Sequence, residues 1–235
     1  MDDVVTVITG TRKGIGEYLA KHYLEQGHIV IGCSRSMPSW SIPDKDRYFH
    51  YILDVADEVS VRRMFSDIRK KHKKIDNLIN NAGIAAMNHS VLTPVDVFDN
   101  VFDTNAKGTF VLSREAFKLM KKNKYGRIVN FATVATPLKL EGEAVYAASK
   151  AAVITLTQVM AKEFAAEGIT VNAVGPTPIK TDLIKNVPED KIQRLLDLQS
   201  IRRFGEFSDV ANVIDFYLRK ESGFITGQVI YLGGI

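Results

Sequence analysis

Short runs of apolar and β-branched residues alternate with amphipathic stretches along the whole chain. Period and residue type predict strands at Val4–Ile8, Ile29–Cys33, Tyr48–Leu53, Asn77–Ile79, Arg127–Phe131, Thr170–Val174 and Val229–Leu232. They predict helices over Gly14–Gln26, Val61–His72, a segment capped by Thr93 with Pro94 at its first position, Lys107–Lys122, Tyr146–Ala166 and Ser208–Arg219. Strands that are separated by helices pair in parallel through right-handed crossovers. The pattern therefore predicts an α/β fold, a doubly wound parallel sheet with helices on both faces.

The composition is that of an ordinary globular domain. Of the 235 residues, 46% are apolar and 25% are charged, and the net charge is only +4. No linker-like segment interrupts the pattern, so we expect a single domain over residues 1–235. The chain has no run of about 18 apolar residues and does not open on a signal-peptide pattern. We therefore expect a cytoplasmic protein without a membrane span.

Several signals are interpreted as structural. The basic run Arg69–Lys74 ends a predicted helix, where cations complement the helix dipole, so we expect no nucleic-acid site. The single cysteine, Cys33, allows no intrachain disulfide and is expected to pack as a small apolar side chain. The five histidines show no metal-ligand spacing, so we expect no metal site.

Three glycines follow the first strand in the spacing G-x-x-x-G-x-G, and a helix begins among them. The first permits a tight turn, the second lets the backbone approach a pyrophosphate, and the third lets the helix pack closely on the strand. The N-terminus of the helix offers free N–H groups and a positive dipole end to phosphate. With the strand before it and the helix after it, this loop predicts a dinucleotide site. The residues assigned to it are Gly10, Thr11, Arg12, Lys13, Gly14, Ile15 and Gly16.

The end of the second strand indicates which dinucleotide binds. NAD sites usually carry an acidic residue there, but here the strand is followed by Ser34 and Arg35. A guanidinium attracts the 2′-phosphate of NADP, which a carboxylate would repel. Together with Lys13 in the glycine loop, Arg35 predicts NADP(H) as the cofactor. The alternative is that both cations are simply exposed to solvent.

Tyr146 and Lys150 open the long predicted helix. A spacing of four places the two side chains on one helix face, one turn apart. The pKa of a free tyrosine is near 10, and a neighbouring ammonium group is expected to lower it toward neutrality. Tyr146 is therefore a candidate general acid for a carbonyl oxygen. The pattern is common by itself and becomes informative only with the glycine loop upstream.

In this order, the motifs resemble those of the short-chain dehydrogenase/reductase family over nearly the whole chain. The matching segments are Thr9–Gly16, Leu53–Val55, Asn80–Gly83, Asn105, Gly126–Asn130, the Tyr146 and Lys150 pair, Val171–Val174 and Pro176. The resemblance implies a Rossmann-type sheet of about seven strands. It also implies hydride exchange between a nicotinamide and a carbonyl or alcohol.

The resemblance further implies contacts with the adenosine half of the cofactor. Asp54 and Val55 would lie at the adenine. Asn81, Ala82 and Gly83 would line the ribose and stabilise the sheet.

At the nicotinamide half, the resemblance implies a proton relay and a carboxamide site. Asn105 would hold a water that links Lys150 to bulk solvent, and Lys150 would also bind the nicotinamide ribose. Pro176 begins the loop in which Ile179 and Thr181 would hold the carboxamide.

Two positions depart from the family pattern. The family's catalytic serine lies 13 residues before the tyrosine, and Thr133 stands there. A threonine hydroxyl donates the same hydrogen bond, although its methyl group restricts χ1 and crowds the pocket. Thr136 is the next hydroxyl along the chain. Thr177 stands where the family has glycine after the sixth strand, which is expected to alter the loop at the nicotinamide.

We therefore predict an NADPH-dependent carbonyl reductase in which Tyr146 protonates the carbonyl oxygen and Thr133 donates a hydrogen bond to it. Arg202–Glu206 and Ile225–Gln228 are similar to segments of 3-oxoacyl-acyl-carrier-protein reductases, although many other family members share them. The predicted substrate is a ketone or an acyl thioester. One alternative is a reductase of a sugar, polyketide or other small ketone in a dedicated pathway. Another is an NADP(H)-binding sensor or scaffold that lost catalysis with the serine.

Two regions are expected to form surfaces beyond the cofactor site. A substrate lid is predicted within about residues 177–205. The long helices carry apolar positions on more than one side, which predicts a homodimer or homotetramer built on them or a wide core-facing stripe in a monomer. These positions are Phe110, Phe117, Val153, Leu156, Val159 and Met160.

Two loops each allow two interpretations. Gly83–Val91, which contains Met87 and His89, either lines the pocket or is a plain loop. Trp40 either anchors its loop or stacks near the adenosine.

Overall fold

Seven parallel strands form one sheet in the computed structural model, which describes residues 3–182, 184 and 187–235. In chain order the strands are β1 Val5–Thr9, β2 Ile29–Ser34, β3 Tyr48–Ile52, β4 Asn77–Asn80, β5 Gly126–Phe131, β6 Ile169–Gly175 and β7 Val229–Tyr231. Their order across the sheet is β3-β2-β1-β4-β5-β6-β7, and every neighbouring pair is parallel. The chain winds outward from β1 in one direction and from β4 in the other. The predicted doubly wound, single-domain α/β fold is confirmed.

Helices cover both faces of this sheet. They are α1 Gly14–Glu25, α2 Glu58–Lys71, α3 Val95–Phe102, α4 Gly108–Met120, α5 Ala135–Leu138, α6 Ala144–Phe164, α7 Glu189–Asp197 and α8 Phe207–Leu218. A π-helical turn, Asp103–Lys107, joins α3 to α4 without a break. Helices α5 and α7 and the π turn were not predicted. Helix α5 and the π turn are too short to show a hydrophobic period, whereas α7 carries Ile192, Leu195 and Leu196 at helical spacing, a signal that the sequence prediction missed.

The starts of three helices differ from their predicted positions because of their caps. Asp57 accepts a hydrogen bond from the backbone N–H of Val59, so α2 begins a turn earlier than predicted. Pro94, predicted at the first helical position, is itself the N-cap of α3. Glu206, not Ser208, caps α8 through a reciprocal box with Asp209.

Each face of the sheet has its own apolar core. On one face, α2, α4 and α6 bury residues such as Ile68, Leu112 and Met160 against the strands. On the other face, α1 and α8 bury Leu19 and Ile214. Because both faces are covered, the central strands are buried along their whole length. Their polar members are paired, as where Asn80 donates to Asn130 at 2.8 Å.

The helix Ala144–Glu167, which includes α6, is long enough and has a high enough mean hydropathy, 1.3, to cross a membrane. Core helices of globular proteins meet the same criteria. Val153 and Met160 of this helix lie in the core against the sheet, and Lys150 is buried within it. About a third of its apolar window, 33%, is buried, so the helix packs on the core by one side.

Candidate active site

A cavity of about 1190 Å³ opens at the carboxyl ends of β1, β4, β5 and β6. It lies where the winding direction reverses between β1 and β4, which is where doubly wound sheets bind ligands. The predicted site residues that line it are Gly10, Arg12, Lys13, Gly14, Ile15, Ser34, Arg35, Asp54, Val55, Asn81, Ala82, Gly83, Thr133, Tyr146, Lys150, Pro176, Ile179 and Thr181. Three predicted residues, Thr11, Gly16 and Asn105, do not line it and are buried behind its wall.

The glycine loop brings main chain to the cavity wall at positions where a side chain would not fit. Gly10 and Gly14 have positive φ angles of 75° and 64°. A Cβ on Gly16 would lie 2.2 Å from the carbonyl oxygen of Gly10, so α1 starts in direct contact with the turn. Lys13, the N-cap of α1, makes no side-chain cap. The start of α1 therefore faces the cavity in the arrangement that binds pyrophosphate.

The end of β4 ties the glycine turn in place. Asn81 donates to the carbonyl oxygen of Thr9 at 2.8 Å, and the hydroxyl of Thr9 accepts from the backbone N–H of Ala82 at 2.8 Å. A Cβ on Gly83 would lie 3.3 Å from Nζ of Lys150, so this glycine leaves room for the ammonium group. These contacts bring the predicted residues of β1, β4 and α6 to one wall.

A network behind the β2 turn was missed by sequence analysis. Nε2 of His50 lies 3.1 Å from the hydroxyl of Ser34 and 3.2 Å from the carbonyl oxygen of Ser36, while Nδ1 lies 2.9 Å from the hydroxyl of Tyr48. Tyr48 in turn donates to Thr11 of the glycine loop at 3.0 Å. His50 therefore fixes the turn that carries Arg35. No local motif indicates this role, because His50 reaches the site only through strand pairing.

The two predicted phosphate-binding cations differ in their surroundings. Arg35 is exposed at the rim of the cavity. Lys13 instead forms an ion pair with Asp182, in the loop after β6. Both partners are about half exposed or more, so solvent weakens this pair. Asp54 also faces this end of the cavity, and its carboxylate accepts from the backbone N–H of Ala56.

Thr133, Tyr146 and Lys150 converge at the other end of the cavity. Burial raises the pKa of Tyr146 to about 12, and a hydrogen bond from Thr133 acts against that rise. Burial lowers the pKa of Lys150 to about 8, and its ammonium group donates to the carbonyl oxygen of Phe131 at 2.8 Å. The expectation that Lys150 brings the tyrosine pKa toward neutrality is therefore wrong for this structure, because burial is the dominant cause.

Asn105 lies in the π turn, and its side chain is fully engaged. Its amide accepts from the backbone N–H of Ile84 at 2.9 Å and donates to the carbonyl oxygen of the same residue at 2.9 Å. It also donates to the hydroxyl of Ser149 at 3.0 Å. Asn105 therefore fixes the Gly83–Ile84 turn beside Lys150.

The loop after β6 accommodates its departure from the family pattern. Thr177 is buried, and it packs where Gly205 and Gly233 have no side chains. A Cβ on Gly205 would lie 2.8 Å from Oγ1 of Thr177, and one on Gly233 would lie 2.7 Å from Cγ2. Ile179 pairs with Gly205 through an isolated bridge. The predicted lid therefore begins on a packed segment. Residues 183, 185 and 186 of that lid lie outside the described part of the chain.

The structure also decides the remaining interpretations. Trp40 donates from Nε1 to the carbonyl oxygen of Thr11 at 2.8 Å, which confirms it as a loop anchor. Of the Gly83–Val91 stretch, Gly83, Ile84, Ala85 and Met87 line the cavity. Cys33 is buried, as predicted. Among the described residues, no cluster of three or more His, Cys, Asp or Glu side chains suits a metal ion.

Cavity-lining residues near Tyr146 that were not predicted include Val134, Leu140, Glu143 and Leu195. Glu143 is the N-cap of α6 in the structure, whereas the predicted helix began at Tyr146 and so left Glu143 out. Leu195 lies on α7, which was likewise not predicted.

Comparisons with known proteins match the chain over nearly its whole length. A family model described as enoyl-(acyl carrier protein) reductase matches residues 10–234. The chain is 34% identical to the 3-oxoacyl-(acyl-carrier-protein) reductase of Rickettsia felis over 232 residues, which cover 97% of this chain and 95% of that protein. It is 30% identical to the enzyme of the same name from Escherichia coli, over 98% of this chain and 96% of that one.

Two solved structures share the fold over almost their full lengths. A short chain dehydrogenase from Leptospira borgpetersenii with bound NAD+ superposes with a TM-score of 0.90 at 26% identity, covering 100% of this chain and 92% of that one. ElxO with NADP bound superposes with a TM-score of 0.90 at 32% identity, covering 98% and 97%. The two structures thus hold different nicotinamide dinucleotides.

Proposed function

The chain belongs to the short-chain dehydrogenase/reductase family of oxidoreductases, which act on CH–OH and C=O groups, and we propose that it is an NADPH-dependent ketone reductase. The observation that carries the proposal is a single cavity that joins the glycine loop at one end to Tyr146, Lys150 and Thr133 at the other. A pure dinucleotide binder has no need of the second end, which argues against a sensor or scaffold.

The residues present fit NADP(H). Gly10 and Gly14 line the cradle for a pyrophosphate at the start of α1, and Gly16 lets that helix start against the turn. Arg35 at the exposed rim suits a 2′-phosphate. Lys13 would turn from Asp182 to that phosphate. When bound, the reduced nicotinamide supplies the hydride.

The side chains at the other end would handle the proton. A tyrosine whose pKa is about 12 is protonated at neutral pH, so Tyr146 carries the proton that a carbonyl oxygen needs during reduction. Thr133 would donate a second hydrogen bond to that oxygen as negative charge develops on it. Lys150, with a pKa of about 8, is mostly an ammonium ion at pH 7 and would bind the ribose. Asn105, which holds Ile84 beside Lys150, would support the proton relay that links Lys150 to bulk solvent.

A ketone or an acyl thioester is the proposed substrate, and the curated relatives named above favour a 3-oxoacyl thioester. Reduction of a sugar, a polyketide or another small ketone remains the second candidate. The test is NADPH consumption with acetoacetyl thioesters and a panel of ketones. Multiple turnovers with any of them would exclude the sensor, and no turnover with all of them would contradict the reductase.

Cofactor preference gives the first prediction. We expect kcat/KM with NADPH to exceed that with NADH by at least about tenfold, because Arg35 and Lys13 attract the 2′-phosphate. Arg35→Asp should shift the preference toward NADH, since a carboxylate at that position repels the phosphate. Arg69→Asp, on the remote surface of α2, is the matched control for the charge change. Equal kcat/KM for the two cofactors in the unaltered protein would contradict the assignment.

Assembly is the second prediction. Of the six apolar positions noted on α4 and α6, Val153 and Met160 are buried in the core and Phe117 and Leu156 pack against it. Phe110 and Val159, in contrast, are 40% and 47% exposed. We propose that a second subunit covers them, giving a homodimer or homotetramer. Light scattering at micromolar concentration should give a multiple of 26.2 kDa, and the monomer mass alone would refute assembly.

The lid and the location complete the proposal. We propose that the segment within about residues 177–205 closes over the substrate, since Ile184 and Leu195 of this segment line the cavity.

A cytoplasmic location is supported by the buried free thiol of Cys33, which needs no oxidising compartment.

A further inference from the structure

Glu143 is an acidic side chain at the Tyr146 end of the cavity that the proposed mechanism does not use. It precedes α6 as its N-cap residue, but its carboxylate makes no capping hydrogen bond. It lines the cavity three residues before Tyr146, which lies in the first turn of α6. The charge of Glu143 acts on the phenol of Tyr146, so the two side chains are neighbours at this end of the cavity. A group held by Glu143 would therefore lie close to a carbonyl that Tyr146 protonates.

The carboxylate of Glu143 has no hydrogen-bond donor among the residues that the structure describes. The side chain is only half exposed, and burial raises its pKa. The charge of Glu143 raises the pKa of the Tyr146 phenol, and the charge of Lys191 on α7 acts against the rise in the pKa of Glu143. The oxygens of Glu143 are not among the fully buried atoms that lack a partner, so they face the open cavity. A ligand that displaces water from this carboxylate has to supply a donor in its place.

The walls around Glu143 are apolar. Leu140, which accepts from the backbone N–H of Glu143, and Leu195, on the same helix as Lys191, are apolar residues of the cavity lining. Pockets of this kind use a few polar groups in an apolar lining to orient and select a ligand. A plain hydrocarbon ketone would leave the carboxylate unpaired and further desolvated, which is unfavourable.

Accepting the proposed function, we propose that Glu143 binds a hydroxyl group of the substrate, so that the substrate is a hydroxy ketone. The hydroxyl sits on a carbon near the carbonyl, because Glu143 immediately precedes α6 and lies only three residues before Tyr146. An ammonium group is the weaker candidate, because Lys191 on the facing helix already supplies positive charge to this carboxylate. The site thus favours hydroxy ketones over small ketones that lack a hydroxyl group.

The experiment compares kcat/KM for three matched small ketones with NADPH as the cofactor. Hydroxyacetone carries the donor, butanone matches its size, and methoxyacetone keeps the electron-withdrawing oxygen without a donor. We expect hydroxyacetone to be favoured over both by at least about tenfold, since a site that pairs a hydroxyl discriminates against compounds that lack it. Aminoacetone, as the ammonium analogue, should rank below hydroxyacetone.

Two substitutions at Glu143 and one at Lys191 test the residue itself. Glu143→Leu should reduce the preference for hydroxyacetone to within about threefold, and Glu143→Gln should retain part of it, because the amide oxygen still accepts. Lys191→Met, the control, removes the neighbouring charge and should keep the preference. An equal loss in the Lys191 variant would show that the pair holds the lid, and would overturn the proposal.

Further outcomes separate this proposal from the proposed function. If all the ketones are reduced equally well by the unaltered protein, or if Glu143→Leu keeps the preference, the hydroxyl site is wrong and the reductase stands. A higher rate with aminoacetone than with hydroxyacetone also overturns the hydroxyl assignment. If no ketone or thioester supports NADPH consumption, the proposed function itself fails.

Discussion

Tyr146→Phe is expected to abolish turnover while leaving NADPH binding largely intact. The substitution keeps the aromatic ring that lines the cavity and removes only the hydroxyl. Because burial holds the pKa of this phenol at about 12, the group is a protonated donor at neutral pH, and no other phenol lines the Lys150 end of the cavity among the described residues. The measurement is steady-state kcat together with NADPH binding by fluorescence titration.

The matched control is Tyr51→Phe. Tyr51 donates its hydroxyl to Asp67 at 2.6 Å on the outer side of β3 and does not line the cavity. Its variant should show an ordinary kcat, so that loss of a phenol hydroxyl as such is excluded as the cause. If Tyr146→Phe retains more than about a tenth of the original kcat, another group is the acid and the mechanism is wrong.

Thr133→Val is expected to lower kcat by about 10²–10³, the usual loss when one donor to a developing oxyanion is removed. The two side chains are nearly isosteric, so packing changes little. The hydroxyl of Thr133 accepts from the backbone N–H of Ala135 at 3.3 Å and donates its own proton to the phenol of Tyr146, from which it would turn to a bound carbonyl. Thr133→Ser should keep activity or raise it, because only the methyl group is lost.

Thr136→Val serves as the control for a removed hydroxyl. Oγ1 of Thr136 is buried without a partner among the described residues, and the residue does not line the cavity. Its variant should change kcat by no more than about twofold. If Thr133→Val has an equally small effect, the donor lies elsewhere and Thr133 has only a packing role.

Several expectations depended on local sequence alone and agree with the structure. The strand–glycine–helix pattern around Gly10 fixes its own geometry, because positive φ angles and close packing act within one turn. The spacing of Tyr146 and Lys150 fixes their shared face for the same reason. Alternating elements determine the sheet, since parallel pairing and crossover handedness leave few topologies.

The tertiary structure alone decided the properties that depend on distant residues. His50 reaches the turn of Arg35 only because β3 pairs with β2. Asp182 reaches Lys13 from a loop 169 residues further along the chain. Thr177 fits because Gly205 and Gly233 lie against it.

The pKa of Tyr146 shows most clearly the difference between what local sequence determines and what tertiary structure determines. Its spacing from Lys150 predicted a lowered pKa, but burial by cavity walls from several elements raises it. Desolvation depends on all the atoms that surround a group, whereas helix spacing describes only its neighbours in sequence. The sequence by itself therefore determined the fold and most of the residues gathered at the site. Tertiary packing alone decided the protonation states of these residues. It also left the carboxylate of Glu143 half-buried, without a donor among the described residues.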